Sequence, residues 1–420
     1  MSIMNHKLTF WGENKVAQVI SLLVFILFAY YIFNKGFRLW YISIFIVLFF
    51  SYAYSHSKKI IISWPLLIFS LISFFTFSLS YYLFDRLDNI PQGGPYKTYK
   101  NIVNQYVWVM PFLLLPTVYF YFKYSAKIFF RVIYLVLTIL FFYSCYIGFD
   151  FEFMRGKLAQ FYNPIISYDI VFVSLSIVGL SYSFYLKDKK SYLLTILSIL
   201  SLFVFMLHGS RGTWLIVPIV FLLLTLMYFK SQKKKLLLVN LMLVVFLGVN
   251  ALIPNSPIFN RIDDFENDKN HIENASYLNS VGARLVMWEN AIDLYKKEPL
   301  LGVSLYGVEE EQCRLAKQGL LPDCYQHKHN IFFEDLAANG LIGLFGLIIS
   351  LLSPLLFFIY YLFNRDELVK NLAITGLLFV GSFLLSGLTE YYLFFPHVTY
   401  IFFFTTASLM SFIVLRTRKI

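Results

Sequence analysis

Runs of mostly apolar residues, each near the roughly 20 that a helix needs to cross a bilayer, recur along almost the whole chain. They fall at about 16–33, 38–55, 60–84, 105–122, 128–149, 165–186, 191–208, 213–229, 236–253, 340–363, 371–388 and 393–415, with each end uncertain by about 2–4 residues. The chain is 59% hydrophobic and 20% aromatic over 420 residues. A soluble domain of that length could not cover so much apolar surface, whereas a bilayer solvates it. The expected fold is an all-α polytopic membrane protein of about twelve transmembrane helices. The first run lacks a small-residue cleavage site and reads as a retained anchor rather than a cleaved signal.

The formal net charge of +11 does not point to nucleic acid, because the lysines sit in short clusters between apolar runs and not along one amphipathic face. Alternate loops carry Lys58 and Lys59; Lys123 and Lys127; Lys187, Lys189 and Lys190; Lys230 and Lys233 to Lys235; Arg365 and Lys370. The tail adds Arg416, Arg418 and Lys419. The positive-inside rule puts all of these, and both termini, in the cytoplasm. Residues 1–253 then hold helices 1–9, residues 254–339 form a large outer loop with amphipathic helices, and residues 340–420 hold helices 10–12. No nucleotide-binding loop, internal repeat or low-complexity segment is present.

Ionisable groups are costly near the bilayer and mark function more often there than elsewhere. In HGSRGTWL, His208 to Leu215, two glycines flank Arg211 at the outer end of the seventh span. That is the wrong side for a purely topological arginine. In Asn279 to Gly302, Leu285, Trp288, Ile292 and Tyr295 recur at helical spacing. This predicts an amphipathic helix on the outer membrane surface, capped by Asn279 or Ser280, with Lys296 and Lys297 at its C-terminus. Arg284 falls in its first turn, where a cation is unfavourable for the helix dipole but a bound anion is welcome.

In Tyr325 to Gly343, YQHKHNIFFEDLAANGLIG, His327 and His329 lie where the outer loop re-enters the membrane. The His-x-His spacing suggests a metal, yet no third ligand is obvious nearby and Lys328 between them would repel a cation. A neutral imidazole acting as base fits better. His329, leading directly into Asn330 and the next helix, is the better fixed of the two, and His327 orients or stands by. Asp169 and Glu390, each near the outer end of a span, are expected to face the same cavity or pair with an arginine.

These three motifs resemble the O-antigen ligase family, within the larger ligase and polymerase superfamily of bacterial surface glycans. The family pattern of His-Asn, a nine-residue gap and Gly-x-x-Gly is met by His329-Asn330, Ile331 through Asn339, then Gly340 and Gly343. Arg211 and Arg284 fit the family's arginines after the seventh span and in a Gly-Ala-Arg-Leu-like segment of the large loop.

The resemblance implies an inner-membrane enzyme of Gram-negative lipopolysaccharide biosynthesis with a periplasmic active site. It would move a glycan from undecaprenyl pyrophosphate to lipid A-core with no cofactor, metal or nucleic acid. Arg211, Arg284 and His329 would be catalytic, with Arg211, Arg284, His327 and Asn330 binding substrate. A polymerase or protein-directed ligase of the same superfamily is the nearest alternative, and a lipid-glycan flippase the alternative from another class. Cys313 and Cys324 would be oxidised in a periplasm, closing a short loop before His327 worth about 3 kcal/mol in the chain-entropy model; two free thiols are the alternative.

Overall fold

The computed structural model describes residues 60–85, 112–121, 124–150, 165–214, 216–253 and 278–418, with a few isolated positions between them. At some helical positions, 77–85 and 211 among them, it describes the backbone alone. The expected spans at 16–33 and 38–55, and much of that at 105–122, lie outside the described residues. All regular structure among the described residues is helical: α1 (Trp64–Asp85), α2 (Leu115–Tyr121), α3 (Ala126–Asp150), α4 (Ile165–Tyr185), α5 (Lys190–Leu207), α6 (Arg211–Trp214), α7 (Ile216–Tyr228), α8 (Lys233–Leu252), α9 (Ser280–Lys297), α10 (Ser304–Lys317), α11 (Ile331–Tyr361), α12 (Glu367–Gly387) and α13 (Pro396–Thr417).

Seven of these, α3, α4, α5, α8, α11, α12 and α13, are long and apolar enough to cross a bilayer. The run read as a span at 213–229 gives the short α6 and then α7, whose 13 residues reach only about 20 Å at 1.5 Å per residue. The bundle centres on α4 and α13, 89% and 94% buried along their apolar windows, while α8 at 22% lies on the periphery. Helix α12 packs between α4, α11 and α13.

Small polar residues let α4 and α12 approach closely, a device suited to helices whose surroundings are themselves apolar. Ser181 Oγ lies 2.9 Å from Thr375 Oγ1, and Ser174 Oγ 3.3 Å from Ser382 Oγ. Asn371 donates to the Ser181 carbonyl at 3.1 Å and to the Tyr228 hydroxyl at 2.8 Å, tying in α7.

The two ends of the bundle differ in chemistry. At one end Lys187 pairs with Glu367 at 3.0 Å, Arg416 with Asp366 at 2.9 Å, and Lys235 Nζ donates to the Ser183 carbonyl at 2.6 Å. Loops that the charge pattern assigned to one side do meet there. The other end gathers the start of α4, the end of α5, the start of α11 and the end of α12, and there the candidate site forms.

Helix α11 runs for 31 residues, more than one crossing requires, and breaks inside at Gly340 (φ 64°, ψ −161°). Its freed groups are taken up by the segment between α9 and α10. Leu341 N–H donates to the Pro299 carbonyl at 2.9 Å, Ile342 N–H to Leu300 at 3.3 Å, and Val303 N–H to Ala337 at 2.9 Å. A Cβ at Gly340 would strike the Leu300 backbone. Glycine is thus required here both for its positive φ and for the close approach.

Candidate functional site

Helix α9 starts as its sequence predicts, with the Asn279 side chain accepting from Val281 N–H at 3.1 Å and Gly282 N–H at 2.7 Å. Its two sides are distinct. Ala283, Met287, Asn290, Ala291 and Leu294 are buried, whereas Leu285 and Ile292 are exposed. Of the apolar residues read at helical spacing, Leu285 and Ile292 face away from the bundle, while Trp288 stacks on Phe333 of α11. Arg284, one turn into α9, folds its guanidinium onto Ser280, reaching Oγ at 3.1 Å and the carbonyl at 3.3 Å.

Asn330 is the N-cap of α11, its Oδ1 accepting from Phe332 N–H at 2.9 Å and Phe333 N–H at 3.2 Å while its Nδ2 donates to the Leu388 carbonyl at 3.0 Å. Both ends of this amide serve the protein. It ties the start of α11 to the end of α12. His329, immediately before the cap, has φ 51°, a left-handed conformation uncommon outside glycine. That turn aims its ring at Glu390.

Glu390 is 3% exposed. His329 Nδ1 lies 3.2 Å from each of its carboxylate oxygens and His327 Nδ1 3.4 Å from one. Tyr391 N–H donates to the same carboxylate at 3.0 Å. Burial alone would raise the Glu390 carboxyl; His329, then His327 and Arg284, more than offset it and bring it down to about 2. Burial holds His327 at about 3 despite the pull of Glu390, so this second imidazole is neutral near pH 7. Expected to face the cavity or pair with an arginine, Glu390 sits buried behind the cleft with the two histidines as the partners described.

Lys328 is fully buried. Its ammonium donates to Asn290 Oδ1 at 2.8 Å, its N–H to Glu334 Oε2 at 2.7 Å, and its carbonyl accepts from Trp288 Nε1 at 3.0 Å. Burial lowers it to about 8. The lysine pins the histidine loop against α9 with its charge directed at Asn290. The two sequence arguments against a cation, a missing third ligand and a repelling Lys328, are thereby corrected. Glu390 supplies the third group, and one ligand atom from each of His327, His329 and Glu390 lies within 4.8 Å of the others. The same geometry equally suits a carboxylate accepting from imidazole N–H.

Cys313 and Cys324 form a disulfide, closing the turn between α10 and the histidine loop. Arg284 and His329 line one open cleft of about 220 Å³, together with Asn279, Ser280, Met287, Pro322 and Tyr325. Among the described residues this cleft joins two of the three side chains that the sequence singled out.

The backbone of the third, Arg211, begins α6. A Cβ on the following Gly212 would run into Thr389, the residue before Glu390, so the arginine's turn abuts the loop that holds His329. Just upstream, buried Asp169 binds His208 Nδ1 at 2.7 Å and the Ser210 hydroxyl, fixing the turn from α5 into α6. His397 donates to or accepts from Ser167 at 3.0 Å, as a packed histidine does.

A family model described as O-antigen ligase matches residues 196–348, from within α5 through the break in α11. An uncharacterized protein of Haemophilus influenzae is 27% identical over 272 residues, 63% of each chain. An O-antigen ligase of Escherichia coli K12 is 30% identical over 182 residues, 42% of this chain and 43% of that one. The chain thus aligns with less than two thirds of the length of either relative. The family match across both the Arg211 turn and the His329 loop, with the likeness to the Escherichia coli ligase, supports the O-antigen ligase family for this polytopic helical membrane protein.

Proposed function

We propose that this protein is an inverting, metal-independent O-antigen ligase that transfers a glycan from undecaprenyl pyrophosphate to a sugar hydroxyl of lipid A-core. In this reading about twelve helices cross the inner membrane. Residues 1–253 carry the first nine, residues 254–339 form the periplasmic loop and residues 340–420 carry the last three. Both termini are cytoplasmic. The meeting of Lys187, Lys235 and Arg416 at the end of the bundle away from the cleft supports that orientation.

The observation that carries the reading is His329, bonded to buried Glu390 and sharing a cleft with Arg284. With Nδ1–H donated to Glu390, His329 keeps Nε2 as the acceptor for a proton. The acceptor hydroxyl gives its proton to Nε2 as its oxygen bonds to the anomeric carbon. The anomeric C–O bond breaks on the opposite side, and undecaprenyl pyrophosphate leaves with the electron pair. Arg284 and Arg211 meet the charge growing on that leaving group, since planar guanidinium forks match phosphate oxygens. His327, neutral and buried, accepts His329 N–H through Nδ1 at 3.4 Å and steadies the loop. The activated bond arrives with the lipid donor, so no nucleotide is needed.

Purified protein, lipid-linked donor and lipid A-core combined in detergent test this directly. Glycan appearing on the core supports the ligase. Elongated glycan still on its lipid carrier would make the protein a polymerase, and no product at all would leave transport as the better account.

A further inference from the structure

We infer that Tyr325 is the wall of an acceptor-sugar subsite, on which the ring bearing the attacking hydroxyl lays its C–H face. The inference rests on the ligase reading and assigns to Tyr325 a contact that the proton-transfer and leaving-group roles do not use.

The cleft has two kinds of lining. Asn279, Ser280 and Arg284 form a polar rim, while Met287, Pro322 and Tyr325 form an apolar wall. A pyranose has the matching division, a ring of hydroxyls around two faces of C–H groups. Sites for such ligands typically combine aromatic walls with a few placed polar groups, the division seen in this cleft. The Tyr325 ring stands edge-to-face to His329 with centroids 5.6 Å apart, so a sugar held on the tyrosine presents its hydroxyls beside the imidazole.

The wall is also rigid. Tyr325 follows Cys324, whose disulfide fastens it to Cys313 on α10. The neighbouring Gln312 donates from Nε2 to the Tyr325 carbonyl at 3.0 Å, and the ring packs against the cluster of Ala283, Met287, Leu315 and Leu321. Two adjacent ties to one helix, one covalent, are more than a surface turn needs. They suit an aromatic face that must not move, since a preorganised wall loses little freedom on binding.

The test is acceptor kinetics at saturating donor, for wild type, Tyr325→Phe, Tyr325→Trp and Tyr325→Ala, each first checked for a wild-type melting temperature. Alanine is expected to raise the acceptor KM about tenfold, within the reach of one aromatic contact, with the donor KM unchanged. Phenylalanine and tryptophan are expected to stay near wild type because each keeps a flat face. Phenylalanine as damaging as alanine, or an alanine effect confined to kcat or to the donor KM, would overturn the subsite. Delipidated core oligosaccharide serves as a second probe in calorimetry, where Tyr325→Ala must bind it more weakly than wild type and equal binding overturns the inference. Failure of the wild type to transfer would instead count against the ligase reading, and is told apart by whether the oligosaccharide still binds.

Discussion

Glu390 holds His329 Nδ1 between its two carboxylate oxygens at 3.2 Å, across 61 residues of sequence. The carboxylate thereby fixes both the direction of the ring and the nitrogen left for chemistry. Glu390→Gln should therefore lower kcat by about tenfold or more, as loss of an orienting carboxylate does elsewhere, with both KM values nearly unchanged. Glu390→Asp should recover part of the loss if reach suffices. A kcat near wild type for the glutamine variant would remove the positioning role.

The buried imidazole of His327 makes stability depend on pH. Its folded value of about 3 lies below the ordinary 6.5, so between those values the unfolded chain binds the extra proton and acidification favours unfolding. Glu390, at about 2 against an ordinary 4.5, adds a loss of the same sign below about pH 4.5. The melting temperature in detergent should fall as pH drops from 7 to 4, and His327→Gln should flatten that fall. Equal slopes for the two proteins would count against a neutral buried His327.

The Cys313–Cys324 bond closes a loop with a sequence separation of 11, worth about 3 kcal/mol in the chain-entropy model. Non-reducing mass spectrometry should find the linked peptides, and reductant or Cys313→Ser should lower the melting temperature. Free thiols at both positions would contradict the bond.

Gly212 lies where a side chain would meet Thr389. Gly212→Ala should cost on the order of 1–3 kcal/mol through crowding and reduce transfer, and Thr389→Gly in the same chain should restore part of both. Lack of any rescue would mean that the two turns are not coupled as described.

Chelation separates the two uses of the His327, His329 and Glu390 cluster. If Glu390 accepts from imidazole N–H, transfer should be unchanged after EDTA dialysis. Loss of activity that a divalent ion restores would reassign the cluster as a metal site.

Much of this arrangement was readable from local pattern. Asn279 and the two terminal lysines of α9 obey capping and dipole rules that act within a turn, whereas the break at Gly340, read only as the start of a span, was not foreseen. Long-range partners were not readable. Glu390 shows in sequence only as an acid at the end of a span, because its histidines are brought to it by the packing of α11 against α12. Lys328 looked like a charge that would repel a cation, since nothing nearby in sequence reveals Asn290 and Glu334 as its partners. Tyr325 was indistinguishable from the other 30 tyrosines until the disulfide and Gln312 placed it in the cleft.

The most direct measurement is single-turnover transfer by purified, folded His329→Ala with lipid-linked donor already bound. The account predicts donor affinity within about twofold of wild type and a transfer rate lower by about 10²–10⁴-fold, the usual worth of a positioned base. Glycan reaching lipid A-core at a near-normal rate in that variant would contradict it.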